Sequence, residues 1–209
     1  INENFLIDAG LPLVSEIDYF SMSIDNISDT PQLTFGVFTG GGFVTISEPH
    51  PFTTNTWYHV AGVYDGSNLR VYVNGTEIGT PQAQSGTVRY NASGILRMGV
   101  WRNLTVYLDG DMDEGRIWSE ARSCTDLNRF KDVELAGTET NLLAYYDFNQ
   151  GTAGGTNTGI TQVIDRAGGD NNLDIQNFAL TGATSNFVDG SSNGVTNGTP
   201  SMLPVPEIS

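Results

Sequence analysis

The segment 56–80, TWYHVAGVYDGSNLRVYVNGTEIGT, constrains the fold more than any other part of the sequence. Apolar and polar side chains alternate over residues 69–73, which is the period-two pattern of a half-buried strand. Asn74-Gly75 follows directly, and both residue types tolerate the positive φ that a type I′ hairpin turn requires. Asp65-Gly66 marks a second tight corner. The segment therefore predicts two antiparallel strands and the start of a third, with residues 57–64 as a central strand covered on both faces.

Strand signals recur at short intervals through the rest of the chain, with turn residues between them. A helical pattern occurs over residues 123–131, where Ser123 and Asp126 make a start that resembles a capping box. The predicted fold class is therefore all-β, an antiparallel β-sandwich with one short helix. The other predicted strand segments are 33–37, 43–47, 96–100, 104–108, 112–119, 142–149, 163–164 and 173–178.

Charge and hydropathy exclude two classes of partner. The formal net charge is −15, so the surface repels phosphate backbones and anionic lipid, and nucleic-acid binding is not expected. No apolar run approaches the length of a membrane span, so membrane insertion is not expected either. An acidic surface is compatible with Ca²⁺, which takes oxygen ligands, although solubility alone also accounts for the charge.

The chain divides into a domain over residues 1–189 and a linker or C-terminal tail over residues 190–209. The tail is rich in Ser, Asn and Gly and carries three prolines, a composition typical of linkers. Ile1 opens the chain without an initiator Met, so the sequence is expected to be an excised piece of a larger multidomain protein. Its only cysteine is Cys124, so no internal disulfide framework exists.

Three stretches resemble laminin-G-like jelly-roll domains of the concanavalin A-like lectin and glucanase superfamily. They are the WYHVAGVYDG…VYVNG stretch of residues 57–75, LDGDMDEGRIWSEARS of residues 108–123, and LLAYYDFNQG of residues 142–151. The stretch NFALTG of residues 177–182 is similar to the tail of such domains in secreted Bacteroidetes proteins. The resemblance implies a fold that mostly binds ligands outside cells and only sometimes catalyses reactions.

The chain also departs from the family pattern. Gly115 stands where a Val is usual, and Phe187 stands where a closing Trp is common. The family's usual opening strands have no counterpart, so the chain is expected to begin inside the domain, with N-terminal strands missing.

Acidic residues suggest a metal site. On a strand, Asp109, Asp111 and Asp113 would share one face, and the repulsion between their charges would be relieved by a cation. Such jelly rolls often bind Ca²⁺ near this strand, so the resemblance implies a structural Ca²⁺ held by Asp113 and Asp111. Asp165, in a second oxygen-rich loop, is the third candidate ligand. The alternative is that these are turn residues hydrogen-bonded to the backbone.

The same acidic run argues against hydrolysis. Laminarinase-type hydrolases of this fold use a Glu-x-Asp-x-x-Glu pattern, and the aligned positions here are Asp111, Asp113 and Arg116. Retaining glycosidases need two carboxyl groups about 5–5.5 Å apart, and an arginine cannot be the acid/base. The domain is therefore not expected to be an enzyme.

Aromatic residues bear on sugar binding, because a pyranose ring stacks on an exposed aromatic ring. Trp101 ends a predicted strand, and Arg102, Asn103 and Tyr107 lie close by in sequence, so these four residues form a candidate glycan clamp. The alternative is that Trp101 covers the sandwich edge. Trp57 and Trp118 are predicted core residues, as is His59.

The favoured function is a non-catalytic, carbohydrate-binding module of a secreted or cell-surface bacterial protein. The rival is a structural or adhesive module that contacts a cell-surface protein, and a diverged glycoside hydrolase is the third reading.

Overall fold

The computed structural model describes residues 4–10, 18–27, 29–90, 94–101, 104 and 106–196. The described elements are twelve strands and one helix. They are β1 (Asn4–Gly10), β2 (Asp18–Ile27), β3 (Thr30–Thr39), β4 (Gly42–Pro49), β5 (Val60–Tyr64), β6 (Asn68–Val73), β7 (Thr76–Ala83), β8 (Ile95–Met98), β9 (Gly115–Trp118), α1 (Cys124–Phe130), β10 (Leu142–Tyr146), β11 (Gln162–Val163) and β12 (Leu173–Asp174).

Two antiparallel sheets form the main body. The larger has the strand order β4-β3-β2-β1-β8, and the smaller has the order β5-β6-β7. They pack face to face through a cluster of buried side chains, and the predicted all-β sandwich with one short helix is thus confirmed. The cluster consists of Leu33, Phe35, Val37, Ile46, Leu69, Val71 and Val73.

The β6–β7 hairpin forms where the sequence predicts it. Asn74 has φ of 51° and Gly75 has φ of 76°, the two positive values that a type I′ turn needs. A side chain at Gly75 would also collide with Asn128, since an added Cβ would lie 2.3 Å from its Oδ1. The turn therefore requires glycine for both its backbone conformation and its contact with α1.

The prediction for residues 57–64 is partly wrong. β5 begins at Val60, and it flanks β6 in the described sheet instead of occupying the centre. Trp57 precedes the strand, is only half-buried, and donates from Nε1 to Ser192 Oγ at 3.3 Å. The apolar groups in both registers reflect burial on both sides of β5: an added Cβ at Gly62 would lie 2.3 Å from Phe35 in the main core, and Val63 on the opposite side is also buried.

A second, smaller core lies beyond β8. The ribbon of β9 and β10 and the short pair of β11 and β12 pack their apolar residues against Leu96 and Met98 of β8. Met98 occupies the space above Gly115, because a Cβ there would lie 3.2 Å from both its Sδ and its Cε. The flexible thioether thus replaces the volume that a Val at position 115 would supply.

The helix starts as its sequence predicts. Ser123 is the N-cap of α1, its hydroxyl accepts from Asp126 N, and the Asp126 side chain accepts from Ser123 N. This reciprocal pair is a capping box. Asn128 Nδ2 and Cys124 Sγ both donate to Gly75 O, at 2.8 and 3.2 Å, which fastens α1 to the hairpin turn.

Residues 190–196 contact the domain. Asn193 Nδ2 donates to Asp113, and Thr196 forms a parallel bridge with Val133. Thr196 N donates to Asp132 O at 3.0 Å. The first part of the predicted tail is therefore hydrogen-bonded to the sandwich, and residues 197–209 lie outside the described residues.

Candidate functional site

Trp101 and Tyr107, two of the four residues of the predicted glycan clamp, lie on opposite arms of a short hairpin within residues 99–108. Trp101 N donates to Val106 O at 2.9 Å and Leu108 N donates to Gly99 O at 2.8 Å, which leaves Val100 directly opposite Tyr107. Leu104 N donates to Trp101 O at 2.8 Å and closes the turn. Among the described residues of the predicted strand 104–108, strand pairing is limited to the bridge at Tyr107.

The hairpin brings Trp101 and Tyr107 into neighbouring positions. The Tyr107 side chain is 48% exposed, whereas Trp101 is half-buried. Because opposite residues of an antiparallel pair project to the same face, Tyr107 projects with Val100, and Trp101 projects to the other side. Arg102 and Asn103 lie outside the described residues.

The predicted strand face of three aspartates does not form. β9 begins only at Gly115, and Glu114 has φ of 55°, a left-handed conformation that interrupts extended backbone. Asp111 is exposed and Asp113 is half-buried. The prediction that Asp109, Asp111 and Asp113 share one strand face is therefore wrong, because this segment is not a strand.

Asp113 is held by protein donors. Its Oδ1 accepts from Glu114 N at 2.8 Å, and its Oδ2 accepts from Asn193 Nδ2. Burial raises the pKa of Asp113, and the carboxylates of Asp147 and Glu134 act in the same direction against the two hydrogen bonds. The region is thus acidic and partly desolvated.

Asp165 lies in the second core and organises the loop after β11. Its carboxylate accepts from Tyr145 N at 3.0 Å, Ala167 N at 2.9 Å and Asn171 Nδ2 at 3.0 Å. Burial on its own raises the pKa of Asp165, but the hydrogen bonds from Tyr145, Asn171 and Ala167 outweigh it and lower the pKa. With Asn171 N at 3.4 Å as a fourth donor, these hydrogen bonds compensate for the burial of the carboxylate.

No group of three or more His, Cys, Asp or Glu side chains that could hold a metal ion occurs in the described part of the chain. Asp113 and Asp165 accept hydrogen bonds from different donors. A Ca²⁺ ion would need 6–8 oxygens, so backbone carbonyls and water would have to supply most of them. Calcium binding stays a prediction.

The position aligned with a catalytic acid is part of a buried structural network. Arg116 forms an ion pair with Glu114, and both side chains are only 10% exposed. Arg116 Nη1 donates to the carbonyl of Phe130, the last residue of α1, at 2.7 Å, and Nη2 donates to Val133 O just beyond the helix. Tyr145 Oη donates to both Glu114 carboxylate oxygens, at 2.9 and 3.0 Å. Burial raises the pKa of Glu114, with the Arg116 and Tyr145 hydrogen bonds opposing it. These contacts fix the segment after α1 to the β9–β10 ribbon.

His59 lies where the two cores meet. Its backbone N donates to Asn74 Oδ1 at 3.0 Å, and its ring Nδ1 is buried without a hydrogen-bond partner among the described residues. Burial lowers the pKa of His59 to about 4, helped by the positive charges of Arg116 and Lys131. The ring is therefore neutral at pH 7, as expected of an interior residue.

One surface was missed by the sequence interpretation: the outward face of β3 and β4. Phe38 lies directly opposite Phe43, and Phe43 is 39% exposed. Thr34, Thr45 and Ser47 lie on the same face, since they alternate with the core residues. The signal was present in the sequence, because hydroxyl residues alternate with large apolar ones along both strands.

Comparison with known proteins identifies the family. A laminin G family model described as the concanavalin A-like lectin/glucanases superfamily matches residues 7–128, which is more than half of the chain. The chain belongs to this superfamily. As its description states, the superfamily includes both lectins and glucanases. Membership confirms the resemblance seen in the sequence.

No curated protein gives a significant match. Among solved structures, a match is found to an S-layer domain-containing protein from Clostridium thermocellum ATCC 27405 (residues 221–444), with 20% identity and a TM-score of 0.26. The alignment covers 61% of this chain and 62% of that chain, so this chain spans less than two thirds of that structure. Within the described residues, no helix is long and apolar enough to cross a bilayer.

Proposed function

We propose that this domain is a non-catalytic, carbohydrate-binding module of a secreted or cell-surface protein. The observation that carries the proposal is the 99–108 hairpin, which holds Tyr107 with about half of its side chain exposed. An aromatic ring with one apolar face in solvent and a polar tip can stack on a sugar ring and hydrogen-bond to its hydroxyls. Arg102 and Asn103, which follow Trp101 in the sequence, are the proposed supporting residues, whereas Trp101 projects from the opposite face of the hairpin and does not take part in this contact.

Two further observations support binding without catalysis. Arg116 fills the position of a catalytic acid, and its guanidinium is committed to Glu114 and to Phe130 O. The carboxylate of Glu114 is in turn held by Tyr145. Since a glycosidase needs two carboxyl groups that face a substrate, this network supplies a structural role for the acidic motif instead.

A glycan array with wild-type protein and the Tyr107→Ala variant tests the proposal. We expect at least one glycan to bind and Tyr107→Ala to weaken that binding about tenfold, the loss of roughly 1.4 kcal/mol that an aromatic contact supplies. Phe178→Ala is the matched control, because Phe178 is an exposed aromatic residue, at 57%, on the segment after β12.

Three results of these experiments would argue against the proposed carbohydrate-binding function. If no glycan binds with or without Ca²⁺, or if both variants bind as the wild type does, the Tyr107 site is refuted. Retention of a protein ligand under those conditions would favour the adhesive, protein-contacting module instead. Release of reducing sugar from a bound glucan would show that the domain is an enzyme.

A further inference from the structure

The outward face of the larger sheet differs in composition from the rest of the chain. Register places four residues of each of β2, β3 and β4 on this face. They are Tyr19, Ser21, Ser23, Asp25, Gln32, Thr34, Gly36, Phe38, Phe43, Thr45, Ser47 and Pro49. Only Asp25 carries a charge, in a protein with 24 acidic and nine basic residues. The β2–β4 part of this face is therefore nearly neutral and rich in hydroxyl groups, which is unusual on such an acidic surface, whereas the register through β1 places Arg97 of β8 on the same face beyond β2.

The face is covered at one side and open at the other. Tyr19 and Ser23 of β2 are buried, at 7% and 4% exposure. Phe43 and Thr45 of β4 are exposed, and Thr34, Phe38 and Ser47 are half-buried. The open part, which we call the β3–β4 platform, consists of Thr34, Gly36, Phe38, Phe43, Thr45 and Ser47.

The ring of Phe43 lies down on the sheet. A Cβ added to Gly36 would come within 2.5 Å of Phe43 Cζ and 3.0 Å of Cε1, so the ring occupies the space that a side chain at position 36 would take. A ring that lies across a glycine directs its other face toward solvent. Phe38 extends the aromatic end of the platform, and the Arg89 guanidinium lies 5.0 Å from the centroid of its ring.

Hydroxyl groups form the other end. Thr34 Oγ1 and Ser47 Oγ are 2.9 Å apart and share one hydrogen bond. Two hydroxyls have two O–H donors, so this pair keeps one donor and several lone pairs for a ligand. Thr45 lies between the pair and Phe43 along β4, because alternate residues of a strand are about 6.5–7 Å apart on one face.

We infer that the β3–β4 platform is a second carbohydrate subsite, for a neutral pyranose oligosaccharide. The inference rests on the proposed function and adds a surface and a ligand class to it. Phe43 would stack on the apolar C–H face of one sugar ring, and Thr45, Thr34 and Ser47 would hydrogen-bond to the hydroxyls of the next. An anionic glycan is disfavoured, because the net charge of −15 outweighs the single positive charge of Arg89 beside the Phe38 ring.

Isothermal titration with cellohexaose, laminarihexaose, mannohexaose and hexagalacturonate provides the test. At least one neutral hexaose is expected to bind, and hexagalacturonate is not. Chemical shift mapping of the complex should perturb the backbone amides of residues 34–38 and 43–47. Phe43→Ala should weaken binding about tenfold and Thr45→Val about threefold, from the loss of a stacking contact and of one neutral hydrogen bond. Phe43→Trp, which keeps an aromatic ring, should retain binding.

The variants also separate this inference from the proposed function. The melting curve of Thr45→Val should match the wild type, and Phe43→Ala, which loses the packing of its ring over Gly36, should still melt cooperatively above the assay temperature. Phe178→Ala is again the control for an exposed aromatic residue. If a neutral hexaose binds but only Tyr107→Ala weakens it and only hairpin amides shift, the platform is refuted and the proposed function stands. Preferential binding of hexagalacturonate refutes the ligand class. If no sugar binds at millimolar concentration, both proposals fail.

Discussion

The two cores of this domain are stabilised in different ways. The first, within residues 18–90, buries alternate aliphatic and aromatic side chains of facing strands. The second, formed by β8 and residues 106–196, has short strands and buries polar side chains, among them Asp147, Asn157 and Asp165. Those polar groups hydrogen-bond to loop backbone, as Asn157 does to both Thr152 N and Thr152 O. Apolar burial therefore organises the first core, and side-chain hydrogen bonds to the backbone organise much of the second.

The largest expected effect comes from a cavity in the first core. Leu69 is fully buried on β6, so Leu69→Ala should lower the free energy of unfolding by about 2–5 kcal/mol. The matched control is Leu143→Ala, since Leu143 is 51% exposed on β10 and should cost less than about 0.5 kcal/mol. Chemical denaturation measures both. Equal losses would show that strand register in the second core buries Leu143.

The junction of the two cores should be sensitive to acid. The folded-state pKa of His59 is about 4, and its ordinary value is 6.5, so the unfolded chain takes up a proton in this range before the folded one does. The free energy of unfolding should therefore fall between pH 6.5 and pH 4, by at most about 3 kcal/mol, and change no further on this account at lower pH.

His59→Gln isolates that contribution. Because Gln does not titrate, the variant should not lose this contribution as pH falls. The unfolding free energy of the wild type should therefore decrease relative to that of the variant between pH 6.5 and pH 4. Parallel stability curves for the two proteins from pH 7 to pH 4 would show that His59 is solvated in the folded state.

The second core should lose stability when one of its hydrogen-bonding side chains is changed to a nearly isosteric one. Asp165→Asn replaces an acceptor oxygen by a donor that faces other donors, so it should cost about 1–3 kcal/mol. Asp170→Asn is the control, because Asp170 is exposed on the same loop. The lowered pKa of Asp165 implies that its stabilising contribution is present above the ordinary carboxyl range and is lost as pH falls through the folded-state value. A fully stable Asp165→Asn variant would mean that apolar contacts hold the second core after all.

The smallest expected effect is that of calcium at Asp113. A site with one or two carboxylates is weak, and at a free Ca²⁺ concentration equal to Kd the stabilisation is about 0.4 kcal/mol. That corresponds to a rise in Tm of about 1 °C for a chain of this size. The rise should be absent in Asp113→Asn. Superposed melting curves in millimolar Ca²⁺ and in chelator would leave Asp113 as a hydrogen-bonded structural residue.

The difference between the cores also decides what the sequence could predict. Alternation locates β3, β4 and β6, and the Ser123–Asp126 pair locates the start of α1, because each signal lies within a few neighbouring residues. β2 was not predicted, although Phe20, Met22 and Ile24 alternate with serines and aspartate, which is the same signal. Pattern reading was thus sufficient for most of the first core.

The candidate sites were harder to predict. The aspartate segment lacks the expected strand because Glu114 adopts positive φ, which no local pattern predicts for a glutamate. Trp57 was expected in the core, but its contact with Ser192 joins residues 135 positions apart. The β3–β4 platform depends on Phe43 lying across Gly36 of the neighbouring strand. Each of these depends on register or long-range packing rather than on residue type.

The contact between Met98 and Gly115 has a consequence for sequence divergence in this family. The two residues share one volume, so a methyl-bearing side chain at position 115 would press on the Met98 thioether at 3.2 Å. A relative with the usual Val at position 115 should therefore carry a shorter residue at position 98. Either substitution alone would leave this part of the core overpacked or with a cavity. The residues at positions 98 and 115 should therefore covary in an alignment of relatives, whereas neighbouring positions should vary independently of them.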